Sequence, residues 1–252
     1  EMHNLSKEFI AFLDETFEIT SPTLVIQNKS KDGTEKFLYA LQDGALIECV
    51  LMHHDYGLSL CVTTQVGCSI GCSFCASGIL KKKRDLSTAE IVGQVMKTQE
   101  IKQCKINSVV IMGIGEPFDN YDNISKFIRL INSKQGYNLG MRNITVSTCG
   151  LIPFIEKFGE DFPQVNLAVS RQAPNGDILF RTMPVARSFE YSELMKACRN
   201  YTESTKRRIT FEYALIDGVN DQPHHACELA CHLKGWLTHV NLIPLNEVDG
   251  KG

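Results

Sequence analysis

The sequence predicts an α/β chain: a partial (β/α)6 barrel preceded by a short antiparallel β-meander and an N-terminal helix. Three observations carry that expectation. From residue 58 onward, strand-like apolar runs alternate with helix-period segments, the pattern of a parallel sheet with crossover helices. Ahead of them, three further strand-like runs are separated only by short turn-forming breaks. The length of 252 residues, with 43% hydrophobic and 22% charged residues, suits one domain of this kind and excludes a disordered or collagen-like chain. A net charge of -3 also excludes a bulk polycation, so contact with nucleic acid requires a local basic patch.

Each element follows from local pattern. Leu5, Phe9, Phe12, Leu13 and Phe17 stand at helical spacing over residues 5–17. Strands are expected over 23–29, 35–42 and 45–54, broken at Lys31-Asp32-Gly33 and Asp43-Gly44. A strand over 58–65 precedes a helix over 88–102, which Ser87 opens with Glu90 three residues on as a capping box. Further strands read 108–114, 143–148, 165–170, 209–216 and 239–245, with helix-period segments at 121–133, 152–158, 191–202 and 222–234. Six βα units are too few for a closed eightfold barrel, and a doubly wound sheet is the competing layout. The expected organisation is a leading helix at 1–20, the meander at 21–57 and the barrel at 58–252.

No apolar run approaches the ~18 residues of a membrane-spanning helix, and the first nineteen residues show no signal-peptide core. The ten cysteines therefore read as reduced thiols of a cytoplasmic protein rather than a disulfide framework. Cys68, Cys72 and Cys75 form a C-x3-C-x2-C pattern directly after the first barrel strand, with Gly67 and Gly71 allowing a tight loop. Three thiolates on one loop can hold a [4Fe-4S] cluster while leaving one iron open, which means chemistry rather than structure. In this spacing the open iron suits the amino and carboxylate groups of S-adenosylmethionine, and so radical chemistry. A zinc site with a distant fourth ligand is the alternative.

Other motifs end successive strands: Gly113–Pro117, Ser147–Gly150, Ser170–Gln172 and Asn241–Asn246. Barrel active sites gather at those ends. Lys81–Arg84 follows the cysteine loop at the mouth and could meet phosphate, whereas Lys206-Arg207-Arg208 precedes a strand and belongs to the opposite end. Cys49 should face away from Glu48 into the core, and Cys104, Cys149 and Cys198 read as core or incidental thiols. His224, His225, Cys227, Cys231 and His232 share one outer helix and read as packing and surface, and His53 and His54 as solvent-facing.

With these segments in hand, the chain resembles the RlmN/Cfr family of radical S-adenosylmethionine RNA methyltransferases. The likeness rests on the cysteine loop, GIGEP, STCG, NLAVS, HDYGLSLCVTTQVGC, RRITFEYALIDGVND and HVNLIPLN, and it runs through nearly all of the sequence. It implies a radical-SAM barrel that methylates carbon 2 of adenine in 23S rRNA and tRNA, with carbon 8 as the alternative within the family. Cys68, Cys72 and Cys75 match the cluster ligands. Gly115 and Glu116 match the pair at the methionine end of the cofactor; Ser147, the 170–172 segment and Asn246 match further cofactor contacts. Cys61 matches the cysteine that resolves a covalent RNA adduct through a transient disulfide, and Glu48 the carboxylate that accepts the ring proton. The methyl group travels on a methyl-cysteine, because adenine carbon 2 is electrophilic and defeats direct transfer. Implied partners are the two RNAs and an electron donor such as flavodoxin or ferredoxin, with the enzyme a monomer and no membrane involved.

Two departures qualify the likeness. Where the family has Ser-Leu-His, this sequence reads Ser170-Arg171-Gln172, which sets an arginine at the inward end of a barrel strand and places Arg171 and Gln172 in the cofactor segment. The chain does not begin with Met, and the methyl-carrying cysteine and most of a helical N-terminal domain are expected outside these residues. An inactive cluster-binding or RNA-binding fragment is the corresponding alternative.

Overall fold

The computed structural model describes residues 4–18, 20–171, 173–183 and 190–245. Helix α1 (Lys7–Thr16) is capped by Ser6, whose side chain accepts from the Phe9 N–H, and none of its residues is buried. Strands β1 (Thr23–Lys29), β2 (Glu35–Ala40), β3 (Leu46–His54) and β4 (Gly57–Cys61) pair antiparallel in turn, the expected meander. Its first two turns use Gly33 at φ +90° and Gly44 at φ +78°, backbone that glycine adopts without strain.

The chain continues through β5 (Gln65–Val66), β6 (Arg84–Asp85), α2 (Thr88–Lys102), β7 (Ser108–Ile111), α3 (Tyr121–Asn132), β8 (Ile144–Thr148) and α4 (Ile152–Asp161). It ends with β9 (Asn166–Ser170), α5 (Gly176–Thr182), α6 (Tyr191–Thr205), β10 (Ile209–Leu215), α7 (Pro223–Leu233) and β11 (Thr238–Pro244). One nine-stranded sheet results, in the order β1-β2-β3-β4-β7-β8-β9-β10-β11. From β4 to β11 every pairing is parallel and strands follow chain order. A doubly wound sheet reverses order at its centre, so this is the six-stranded open-barrel layout. Because β4 pairs antiparallel with β3 and parallel with β7, the meander extends the barrel sheet.

Alternation along the strands divides the two faces. On β8, Ile144, Val146 and Thr148 are buried, while Thr145 and Ser147 on the other face are half-buried. Val109 and Ile111 of β7 and Ile209 and Phe211 of β10 continue the buried face. Beneath it Phe118, Tyr121, Phe154, Phe158 and Phe162 form a contiguous aromatic cluster. Each fully buried ring of that kind contributes about 1.5–3 kcal/mol.

Two expectations change. The strand expected over 58–65 stops at Cys61, because the Gln94 amide replaces the ladder at Thr63: its Oε1 accepts from the Thr63 N–H and its Nε2 donates to the Thr63 carbonyl, both at 2.9 Å. Gln65–Val66 then pairs with Arg84–Asp85 in a separate two-stranded sheet. Helix α5, only seven residues long, lay below the resolution of periodicity. Among the described residues no helix is long and apolar enough to cross a membrane, and no cysteine is in a disulfide.

The fully buried Gln94 thus satisfies two backbone groups. Gln94→Met keeps the volume and orphans both. Urea unfolding should show a loss of about 2–4 kcal/mol.

Candidate cofactor and cluster site

The cysteine loop is pinched shut at its base. Gly67 has φ +78°, and a side chain there would collide with the Lys81 carbonyl. The Cys68 N–H donates to the Leu80 carbonyl at 2.9 Å, closing the neck, and the Cys75 N–H donates to the Cys72 carbonyl at 3.3 Å. The Ser73 N–H and hydroxyl both donate to the Thr182 carbonyl, at 3.0 and 3.2 Å, which ties the loop to α5. Burial, followed by the Cys75 and Cys68 thiolates, pushes the Cys72 thiol up to about 12. Burial also raises Cys68, with Cys75 and Glu116 adding repulsion. Cys72 thus lies within range of the charge of both other thiols.

Among the described residues no three metal-binding side chains close on a point as they stand. The donor set nevertheless fits an iron–sulfur cluster: three soft thiols stand on one short loop, and the burial and mutual charge that raise Cys68 and Cys72 are relieved by bound iron.

Beside the loop, Glu116 clamps two strand ends together. Its Oε1 accepts from the Phe118 N–H at 2.9 Å and the Thr148 hydroxyl at 2.7 Å, and its Oε2 from the Cys149 N–H at 2.7 Å. The residue is 3% exposed, and burial raises its carboxyl in spite of those donors. Gly115, at φ +105°, has no room for a side chain: a Cβ would lie 2.6 Å from Gln65. Gln65, fully buried, accepts from the Glu116 N–H at 2.9 Å and donates to Asp85 and Asp119 at 2.7 and 3.0 Å. Cys149, read from sequence as an incidental thiol, shares the Glu116 carboxylate and feels the Cys72 and Cys68 charges.

At the C-terminal strand ends lies an open cavity of about 360 Å³ whose wall includes Phe74, Cys75, Met112, Ser147, Ser170 and Glu212. Ser147 and Ser170, at the ends of β8 and β9, thus lie on the wall of that cavity. Gln172 and Asn246 lie outside the described residues. Arg171 does not point inward. Strand alternation turns it to the helix side, where it is fully buried, with its guanidinium 4.9 Å from the Tyr191 ring and 5.3 Å from the Phe211 ring. Its Nη2 reaches the Pro174 carbonyl at 3.3 Å and His232 Nδ1 at 3.4 Å, while Nε and Nη1 have no partner among the described residues. Burial pulls it down to about 10. Glu212 was missed, although counting by twos along β10 from Ala214 would have found a carboxylate on the cavity face.

Cys61 and Glu48 come together on neighbouring strands. Cys61 pairs with Val50 across the β3–β4 ladder, so Glu48, two residues along β3, lies diagonally on the same face, roughly 7–8 Å away. Burial pushes the Cys61 thiol up to about 11, and the Met112 N–H helps its anion. Lys36 Nζ lies 2.7 Å from Glu48 Oε1. Cys49 faces the other way into the core, as expected, 3.8 Å from the Thr98 hydroxyl.

The basic run is divided. Lys82 pairs with Asp85 and Asp119 at 2.9 and 2.8 Å, and Arg84 with Asp43 and Glu90 at 2.8 Å each, whereas Lys81 and Lys83 are exposed. On α7, Cys227 and Cys231 are exposed, and the His225 ring accepts from the Gln222 N–H at 3.2 Å, which is packing and capping.

Arg171→Leu removes a buried cation that has two unsatisfied nitrogens and fills an apolar slot. It should stabilise the chain by about 1–4 kcal/mol, read as a melting temperature higher by several degrees.

Comparison with known proteins agrees with this geometry. The model of the radical SAM superfamily matches residues 62–230. A probable dual-specificity RNA methyltransferase RlmN of Staphylococcus aureus (strain MW2) is 51% identical over 251 residues, covering 98% of this chain and 69% of the relative. A radical SAM methyltransferase from Sphaerobacter thermophilus superposes with a TM-score of 0.92 at 44% identity, covering 99% of this chain and 74% of that one. The [FeFe]-hydrogenase maturase HydG, at 15% identity and a TM-score of 0.56, shares the fold alone. The chain belongs to the radical SAM superfamily, which works with a [4Fe-4S] cluster and S-adenosylmethionine, and within it to the RlmN family of RNA methyltransferases.

Proposed function

We propose that this chain carries the catalytic core of an enzyme that methylates carbon 2 of adenine in 23S rRNA and tRNA through a methyl-cysteine intermediate. The observation that carries the reading is the convergence at one barrel mouth of the three-cysteine loop, the serine-lined cavity and the Cys61–Glu48 pair.

Cys68, Cys72 and Cys75 would hold the cluster, which with S-adenosylmethionine supplies one-electron chemistry when bound. Ser147 and Ser170 would position the nucleoside part of the cofactor in the cavity, with Gly115 and Glu116 at its methionine end; Asn246 and Gln172 complete the proposed set. The Glu116 carboxylate already accepts three hydrogen bonds, so its part is to fix the β7 and β8 ends more than to reach outward. Glu48, on the open face of the meander, would take the proton from the adenine ring. Cys61, held protonated at neutral pH by burial, would attack only once its proton is accepted, which keeps it from reacting early. Met112 touches both places, lining the cavity and donating its N–H toward Cys61, and so joins cofactor and RNA chemistry at one wall. A flavodoxin or ferredoxin would supply the electron, and the enzyme would act as a monomer in the cytoplasm.

Expression of the complete gene in cells lacking their own adenine-2 methyltransferase, followed by nucleoside mass spectrometry, should yield 2-methyladenosine. Finding 8-methyladenosine instead would favour the other branch of the family, and neither product would refute the proposal. With Cys61→Ala, product release should stop and a protein–RNA adduct accumulate, visible as a protease-sensitive RNA gel shift.

Lys81 and Lys83 are the cations of the loop that face solvent. Replacing both by Ala should weaken RNA binding at low salt and flatten the slope of log K against log salt by about 1–2 units. Lys82→Ala, which breaks an internal pair, should leave the slope nearly unchanged.

A further inference from the structure

The end of the barrel opposite the cysteine loop carries a charge that the rest of the chain does not. Strands β4 and β7 to β11 run parallel, so the segments leading into them (55–56, 103–107, 133–143, 162–165, 206–208 and 234–237) gather at one end. The β1–β2 turn, 30–34, joins them, because Lys29 and Glu35 stand beside the end of β3. These segments hold eight of the chain's 26 cations but only two of its 29 carboxylates, Asp32 and Asp55, in a protein of net charge -3. Asp32 is folded into its own turn, accepting from the Thr34 N–H and hydroxyl at 3.0 and 3.1 Å. Among the described residues none of the eight cations has a carboxylate partner; Arg142 and Arg207 donate to the neutral side chains of Gln164 and Asn166. Glu100, Asp161 and Glu203, on adjoining helix ends, are taken up by Lys97, Arg129 and Arg199, and Glu160 is exposed. Lys105, Lys134, Arg142, Lys206, Arg208 and Lys234 are all exposed. Four strand spacings from β7 to β11 spread them over about 19 Å, along which a nucleic-acid strand presents several phosphates.

An exposed ring stands beside these cations. Tyr56, at the tip of the β3–β4 hairpin, is 70% exposed and stacks on the His54 ring, 4.7 Å between centroids. Asn107 fastens that hairpin to the segment of Lys105: its side chain accepts from the Leu58 N–H at 2.9 Å, and its N–H donates to the Leu58 carbonyl at 2.8 Å. Unopposed cations next to a free aromatic face suit phosphates and an unpaired base together. Helix dipoles account for only part of the charge, since Lys206 and Lys234 cap α6 and α7 whereas Lys105, Arg142 and Arg208 cap no α-helix. An acidic protein would suit the charge but not the ring. An electron donor seated here would also stand a strand's length, about 17–23 Å, from the end that holds the cysteine loop. We propose that the N-terminal ends of the barrel strands form a second RNA-binding face, where phosphates meet Lys105, Arg142 and Arg208 and an unpaired base stacks on Tyr56. A substrate RNA longer than the barrel is tall is then held at both ends, which sets the angle at which its target adenosine enters the mouth. The inference rests on RNA being the substrate at that mouth.

The test is equilibrium binding of an unmodified tRNA transcript to the 252-residue chain across a salt series, with heparin as a polyanion that has no bases. Replacing Lys105, Arg142 and Arg208 together by Ala should weaken RNA binding about tenfold or more at low salt. The slope of log K against log salt should flatten by about 2–3 units, with the melting temperature near the wild-type value. Tyr56→Ala should weaken RNA binding about fivefold or more and leave heparin binding unchanged. Wild-type affinity and slope in the triple variant overturn the inference; a lowered melting temperature beside them would assign the cations to the helix ends. Unchanged RNA binding with weakened binding of a flavodoxin gives the face to an acidic protein and overturns it as well. So does a Tyr56→Ala variant that binds RNA as the wild type does, or that loses heparin equally. A loss in the triple variant, with no effect of replacing Lys81 and Lys83, would uphold this face and refute RNA contact at the mouth. The reverse pattern would refute this face and leave the mouth standing.

Discussion

An open barrel has to hold its strand ends at fixed spacing without a closing seam, and here the Glu116 carboxylate does much of that work. It accepts from a residue of its own loop and from two groups at the end of β8, while the Glu116 N–H is held by Gln65. Gln65 in turn donates to Asp85 and Asp119, and Asp119 pairs with Lys82 beyond the cysteine loop. One buried carboxylate and one buried amide thereby tie β5, β6, β7 and β8 into a common frame. Buried polar networks of this kind stabilise only when every member is satisfied, and this one is dense with partners.

On that frame the sheet's alternation assigns each residue to one of two environments. The helix face is aliphatic and aromatic, and the opposite face carries the serines, the Glu212 carboxylate and the meander's Glu48 and Cys61. Because the meander belongs to the same sheet, the groups proposed for the cofactor and those proposed for RNA chemistry are held by one continuous hydrogen-bonded surface. Their relative placement therefore needs no interdomain contact.

Much of this was legible in the sequence, for identifiable reasons. The capping box of Ser87 and Glu90 is local and formed as expected. The parallel sheet followed from the alternation of strand and helix, whereas the choice of a partial barrel over a doubly wound sheet is decided by the strand order itself, and the cysteine loop followed from spacing alone. What escaped were consequences of distant contacts. Gln94, thirty-one positions from Thr63, ends a strand that β-propensity would have continued. Glu116 reads as an outward-looking carboxylate until Thr148 and the Cys149 N–H are seen to occupy it. The error at Arg171 was of another kind, since the residue after an inward Ser170 must face the helices, and its position at the strand's end concealed the parity.

Arg171 also bears on how the molecule breathes. Its guanidinium must shed water before β9, β10, α6 and α7 can close around it, and the rings of Tyr191 and Phe211 return only part of that hydration energy. A buried cation with two nitrogens unpartnered among the described residues subtracts from the stability of the corner where those elements meet. The Thr182 carbonyl that anchors the cysteine loop belongs to the neighbouring α5. Any loosening around Arg171 that reached α5 would release the Thr182 carbonyl from Ser73, so the seating of the cysteine loop is linked to a side chain that touches none of the three cysteines.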